Sequence, residues 1–68
     1  MDRDQAFREI IREMTHSGFN TNSIADALLH LDTHEPTPER VSLLSRGYGT
    51  DKTETLLSDW KEMEYGDN

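Results

Sequence analysis

The sequence predicts an all-α fold, a small bundle of about four short helices, on three observations. Apolar residues recur at spacings of three and four along most of the chain, which places them on one face of a helix. Capping residues, glycines and prolines divide the chain into four such segments. No stretch alternates apolar and polar residues as a half-buried strand does. We expect positions 1–64 to form a single domain and positions 65–68 a disordered tail.

The first two helices are separated by Gly18, a residue that favours helix termination. The first is expected over about Asp4–Thr15, and the apolar stripe that should face the core consists of Phe7, Ile10, Ile11 and Met14. The second should begin within the cap-rich run 20–23 and end by Asp32, ahead of two prolines. Its expected inward residues are Ile24, Ala27, Leu28 and Leu31.

The last two helices flank a glycine-rich turn over positions 47–49. Thr37 is a suitable N-cap and Pro38 suits the first helical position, so a short helix is expected over about Pro38–Arg46. Its inward residues should be Val41 and Leu44. The fourth helix should begin at Thr50 or Asp51 and reach about Glu64. Its expected buried face consists of Thr53, Leu56, Leu57, Trp60 and Met63. Trp60 is therefore expected to be a core residue.

Composition narrows the classes of function. Fourteen acidic and seven basic residues give a net charge of −7, which disfavours nonspecific contact with nucleic acid or anionic membranes. The six acids and two bases of positions 47–68 make this the most acidic part. The lack of cysteine excludes disulfides and thiolate metal sites and fits a reducing compartment. No membrane span or signal peptide is evident, so a cytoplasmic location is expected.

Two histidines have a spacing that metal-binding helices use. His30 and His34 are four residues apart, and Asp26 precedes His30 by four, so all three would share one helix face. However, His34 lies where the helix should end, and no His-Glu-x-x-His motif is present. We therefore interpret both histidines as ordinary surface or capping residues and predict no metal and no cofactor. His16 is interpreted as a helix C-terminal residue favoured by the helix dipole.

The sequence gives little support for catalysis. The run 47–50 precedes a helix as a phosphate-binding loop would, but it lacks the Gly-Lys-Ser/Thr ending and a preceding strand. Serine, histidine and aspartate occur, yet nothing brings them together, and so short a chain builds no deep pocket. We predict no enzymatic activity and no small-molecule substrate. Tyr48 is either an anchor for a partner or an edge residue of the core.

From about position 24 to 62 the pattern resembles the N-terminal DNA-binding domain of plasmid KfrA-type proteins. The residues that carry this resemblance are those of positions 25–29 and 36–41, the turn 47–50, and Leu56 or Leu57 followed by Trp60. This resemblance implies a helix-turn-helix-like core and a transcription-regulating protein whose last helix contacts DNA. The residues expected to contact DNA are Arg40, Arg46, Thr50, Lys52, Thr53, Thr55 and Lys61.

A rival hypothesis rests on charge. The outward face of the fourth helix should carry Asp51, Glu54 and Glu62 and no base, which a DNA phosphate would repel. The chain would then be an acidic inhibitor from a phage or plasmid, of the anti-CRISPR or DNA-mimic type, that occupies a basic nucleic-acid-binding surface of a partner protein. Its expected contact residues are Tyr48, Asp51, Glu54, Asp59, Glu62 and Glu64. The resemblance favours the DNA-binding regulator. Under either hypothesis a homodimer would add to a small core.

Overall fold

The computed structural model describes residues 1–65, with side chains as far as Met63, as four α-helices joined by short turns. They are α1 (Arg3–His16), α2 (Thr21–Asp32), α3 (Pro38–Ser45) and α4 (Thr50–Tyr65). The all-α prediction is confirmed, and the predicted bounds differ by only a residue or two. Of the tail expected at 65–68, Tyr65 is the last residue of α4 and positions 66–68 lie outside the described residues.

Local capping explains where α2 and α3 begin. The side chain of Asn20 accepts a hydrogen bond from the Ser23 backbone N–H at 2.8 Å, and the Thr37 hydroxyl accepts one from the Arg40 N–H at 3.1 Å. Each contact satisfies one of the N–H groups that lack a partner in the first turn of a helix. Pro38 at the start of α3 has no N–H to satisfy. These short-range contacts fix both helix starts.

The core lies among α1, α2 and α3, because α1 packs against both of the other helices. Its buried residues are Ala6, Ile10, Met14, Ala27, Leu31, Val41 and Leu44. On α1 the contact line follows positions 6, 10 and 14, one residue per turn. Ile11 lies about 100° around the helix from Ile10 and is 44% exposed, so its predicted burial is wrong. Phe7, by contrast, is partly buried against the core.

The two turns that contain left-handed glycines differ in how tightly they pack. Gly18 and Gly47 have φ angles of 89° and 90°, a region that side-chain-bearing residues rarely adopt. The ring of Phe19, in the α1–α2 turn, lies against Gly47, in the α3–α4 turn. A Cβ atom at position 47 would lie 2.3 Å from the Phe19 Cζ atom. Glycine at 47 therefore allows the two turns to meet.

The second half of α4 extends past the helices that hold the first half. Thr53 is fully buried and Leu56 and Leu57 are half-buried, but Trp60 is 50% exposed and Met63 82% exposed. The prediction that Trp60 and Met63 belong to the core is wrong. At 1.5 Å per residue, the eight residues of α3 span about 12 Å, whereas the sixteen of α4 span about 24 Å. α3 is therefore too short to cover the whole apolar face of α4.

Candidate functional site

A group of ionisable side chains lies where the C-terminal end of α2 meets the first half of α4. We call His30, His34 and Glu54 the His–Glu cluster. The Oε2 atom of Glu54 is 2.9 Å from His30 Nε2 and 3.6 Å from His34 Nε2. Arg40, on α3, donates from Nη2 to the same oxygen at 3.1 Å. One carboxylate oxygen thus brings together side chains from three helices.

His30 is a buried member of the cluster, with only 7% of its surface exposed. Its interpretation as a surface or capping residue is therefore wrong, because α4 docks over this face of α2. Burial lowers the pKa of His30 below its usual 6.5, and the neighbouring His34 lowers it further, while Glu54 acts in the opposite direction. The buried environment therefore favours the neutral form of His30. Although Nε2 is close to Glu54, the contact lacks hydrogen-bond alignment, and within the described residues no other atom forms a hydrogen bond with this nitrogen.

His34 caps the end of α2, as the capping interpretation predicted. Its Nδ1 atom lies 2.8 Å from the backbone oxygen of His30. A carbonyl oxygen only accepts hydrogen bonds, so Nδ1 must carry the hydrogen and the neutral ring has a lone pair on Nε2. The two imidazole rings are stacked, with centroids 3.9 Å apart and planes 6° from parallel. Arg3 donates to the backbone oxygen of His34 at 3.1 Å, which further holds this turn.

The structure places a different carboxylate near the histidines from the one that the sequence indicated. Asp26 is exposed and lines an open cavity beside the histidines. Glu54, twenty residues beyond His34, supplies the carboxylate oxygen instead. Sequence reasoning missed it because helical spacing identifies neighbours only within one helix. The amphipathic pattern of α4 assigned Glu54 to the outward face, whereas its side chain contacts α2 and α3.

The residues expected to contact DNA do not form one surface. Thr53 is fully buried, and the Arg40 side chain is only 13% exposed and donates to Glu54. Thr50 is half-buried; the exposed members of the set are Arg46, Lys52, Thr55 and Lys61. Lys52 and Lys61 are nine residues apart, which puts them on opposite sides of α4.

The residues expected of an acidic inhibitor are more accessible. Asp51, Asp59 and Glu62 are exposed, and at 100° per residue they fall within about 80° of one another around α4. Tyr48 is 39% exposed. Glu54 belongs instead to the His–Glu cluster, and the Glu64 side chain lies outside the described residues. Asp51, Asp59 and Glu62 thus share one side of α4, where Lys52 is also exposed, about 20° around the helix from Asp59.

An open groove of about 720 Å³ runs between the start of α3 and the second half of α4. Leu57, Trp60 and Met63 supply its apolar lining, and Glu39 and Lys61 are among its charged residues. The groove exists because α4 continues beyond the point where α3 begins. It joins the largest exposed apolar side chains of α4 to a polar rim, a combination typical of protein-binding surfaces.

Comparisons with protein-family models, with curated proteins and with solved structures found no match to this chain. The resemblance to KfrA-type domains therefore stays a hypothesis. Across residues 1–65, no helix combines the length and the hydrophobicity that crossing a lipid bilayer requires.

Proposed function

We propose that this chain is a non-enzymatic protein-binding module whose fourth helix binds a basic surface of a partner protein. The observation that carries this proposal is the exposure of Trp60, Met63 and Asp59, which fall within about 100° of one another around α4. Asp51 and Glu62 are exposed further around the helix, on the side away from Trp60, and would act on a basic partner through long-range attraction. The narrower form of the proposal is an inhibitor of the anti-CRISPR or DNA-mimic type. Its target would be a protein surface that otherwise binds nucleic acid.

The two kinds of exposed residue would contribute differently to binding. Tryptophan is among the residues that most often dominate the binding free energy of an interface, because it buries a large rigid surface. Exposed acids contribute less to affinity but accelerate the encounter with a basic partner and make it sensitive to salt. The net charge of −7 favours such a partner over a nucleic acid.

The test begins with capture of partners from a nuclease-treated host lysate, followed by affinity measurements with the purified partner. Changing Asp51, Asp59 and Glu62 to lysine takes the formal net charge from −7 to −1, since each change adds two charges. Asp2, Glu13 and Asp32 are also exposed, lie outside α4, and give a control variant of equal net charge. Folding of both variants is checked by circular dichroism.

We expect the α4 variant to bind the partner at least about tenfold more slowly at low salt, because steering by rim charges acts on the association rate. The association rate of the control variant should fall by a smaller factor. Trp60→Ala should instead speed dissociation, since it removes a buried aromatic contact. Equal losses in the two charge variants would leave only a general charge effect and would refute a binding face on α4.

A DNA-binding regulator is a second candidate, favoured by the connection between α3 and α4. Four residues, Arg46–Gly49, join the two helices and include a left-handed glycine, as in many helix-turn-helix units. Selection from a random DNA pool at low salt should then enrich a motif, and the triple lysine variant should bind DNA more tightly. Failure to enrich any sequence would remove this candidate.

A further inference from the structure

We propose that His30, His34 and Glu54 form a binding site for a divalent transition-metal ion, with Zn²⁺ as the preferred ion. The site joins the end of α2 to α4 and is independent of the binding face proposed above. The three ligand atoms, two imidazole nitrogens and one carboxylate oxygen, all lie within 4.8 Å of one another.

The first argument is that electron-pair donors converge at this point. In the neutral tautomer that the contact with the His30 carbonyl selects, Nδ1 of His34 holds the hydrogen and Nε2 carries the lone pair. His30 Nε2 is buried and, among residues 1–65, has no aligned hydrogen-bond partner, although Glu54 Oε2 is 2.9 Å away. A buried polar atom without a partner costs free energy, and a cation among these donors would remove that cost.

The second argument is distance. Ligand atoms at 2.0–2.1 Å from a tetrahedral metal are separated from each other by about 3.4 Å. The distances from Glu54 Oε2 to the nitrogens of His30 and His34, 2.9 Å and 3.6 Å, lie on either side of that value. Shifts of a few tenths of an ångström along these two edges are therefore enough to bring the oxygen to coordination distance.

The third argument is the support around His34. Histidines that bind metals usually donate their second ring N–H to a carbonyl or carboxylate, which fixes the tautomer and the ring orientation. The 2.8 Å contact between His34 Nδ1 and the His30 backbone oxygen provides this support. The side chains of His34 and Glu54 are 38% and 44% exposed, so an ion reaches the site from solvent.

Coordination requires two local adjustments. Parallel rings cannot both point their lone pairs at one ion, so the stacked pair must open. His34, the more exposed ring, can tilt about the contact between its Nδ1 atom and the His30 carbonyl, which is kept. Arg40 holds Glu54 Oε2 at 3.1 Å and competes for it with the metal. Arg40 must therefore move away, or Glu54 must present its second oxygen to the ion.

The donor set selects the class of ion. Two imidazoles and a carboxylate suit zinc and its neighbours in the first transition row, whereas Mg²⁺ and Ca²⁺ prefer oxygen ligands only. Three protein ligands leave a fourth position for water or for a group on another molecule. Because His30 lies on α2 and Glu54 on α4, the bound ion would stabilise the docking of α4 on α2.

The test titrates ZnCl2 into untagged, chelator-treated protein and follows binding by calorimetry and thermal unfolding. We expect one Zn²⁺ per chain, a higher unfolding midpoint and, with Co²⁺, a visible absorption band. His34→Asn retains a donor near the position of Nδ1 but lacks the ligand nitrogen, and Glu54→Gln keeps the side-chain shape. Each should weaken Zn²⁺ binding by at least about tenfold, since even changes to supporting residues cost that much.

His16 provides the matched control, because it is an exposed histidine at the end of α1 and outside the cluster. His16→Gln should bind Zn²⁺ as the wild type does. Arg40→Gln should bind it more tightly, because it removes a competing cation. The proposal is overturned if the folded wild type shows no saturable binding at Zn²⁺ concentrations up to about 100 micromolar, a range typical of weak metal sites. It is also overturned if His16→Gln loses as much affinity for Zn²⁺ as His34→Asn does.

Discussion

Replacing Gly47 by alanine tests whether the close approach of the two turns is needed for the fold. Both Gly47 and Gly18 have left-handed backbones, with φ near 90°. A Cβ atom at position 47 would lie 2.3 Å and 2.5 Å from two carbons of the Phe19 ring, whereas one at position 18 meets nothing within 4 Å. Gly18→Ala is therefore a control that shares the backbone strain without the collision.

The expected magnitudes follow from these contacts. The left-handed conformation costs alanine about 1–2 kcal/mol at either position. Forcing extra volume into a packed region costs about 1–3 kcal/mol more, and only Gly47→Ala incurs it. The total loss at position 47 is then about 2–5 kcal/mol, against about 3–10 kcal/mol of stability for a domain of this length.

Urea unfolding followed by circular dichroism measures the difference. With a denaturant slope of about 1 kcal/mol per molar, typical of small domains, the Gly47→Ala midpoint should fall about 1–3 M below that of Gly18→Ala. Phe19→Leu should partly rescue Gly47→Ala by making room. If the two glycine variants unfold at the same urea concentration, the Phe19 contact does not constrain position 47 and the reasoning fails.

Three further outcomes are expected. Trp60→Ala should leave the urea midpoint nearly unchanged, whereas Leu31→Ala should lower stability by about 2–5 kcal/mol, because Leu31 is fully buried; similar losses would contradict the exposure of Trp60. With chelator present, stability should fall as pH drops below 6.5, because the lowered pKa of His30 favours protonation in the unfolded chain, and His30→Gln should flatten this dependence. Sedimentation at micromolar concentration should show a homodimer of 7.9 kDa chains; a wild-type monomer would contradict this.

The helices could be predicted because their signals are local. Asn20 and Thr37 cap helices through N–H groups three residues away, so neighbouring residues determine where α2 and α3 begin. Whether the Trp60 side chain is buried, by contrast, does not depend on its neighbours in the sequence. The apolar spacing of α4 correctly puts Trp60 on the same side as buried Thr53, but the length of α3 decides whether anything covers it. Amphipathic spacing predicts the side of the helix on which a residue lies, but not how far along that side the neighbouring helix extends.

The His–Glu cluster shows the same limit for a candidate site. The spacing of His30 and His34 predicts that the two rings are neighbours, and they are stacked although His34 lies just beyond the end of α2. The third member depends on how α4 is rotated against α2. No residue near His30 in the sequence carries that information, so Asp26, four residues before it, was the only acid that helical spacing could propose.

The way α4 packs against the other helices leaves it weakly held. Its buried contacts are Thr53, which is small, and the half-buried Leu56 and Leu57, so apolar burial stabilises α4 less than α1. Glu54 adds contacts to α2 and α3, but its side chain is 44% exposed and such ion pairs contribute little net stability in water. Local opening should therefore begin at α4. An ion at the His–Glu cluster would oppose that opening from the α2 side, while a partner on Trp60 would oppose it from the other end of the helix. Both proposed interactions thus act on the helix that the core holds least.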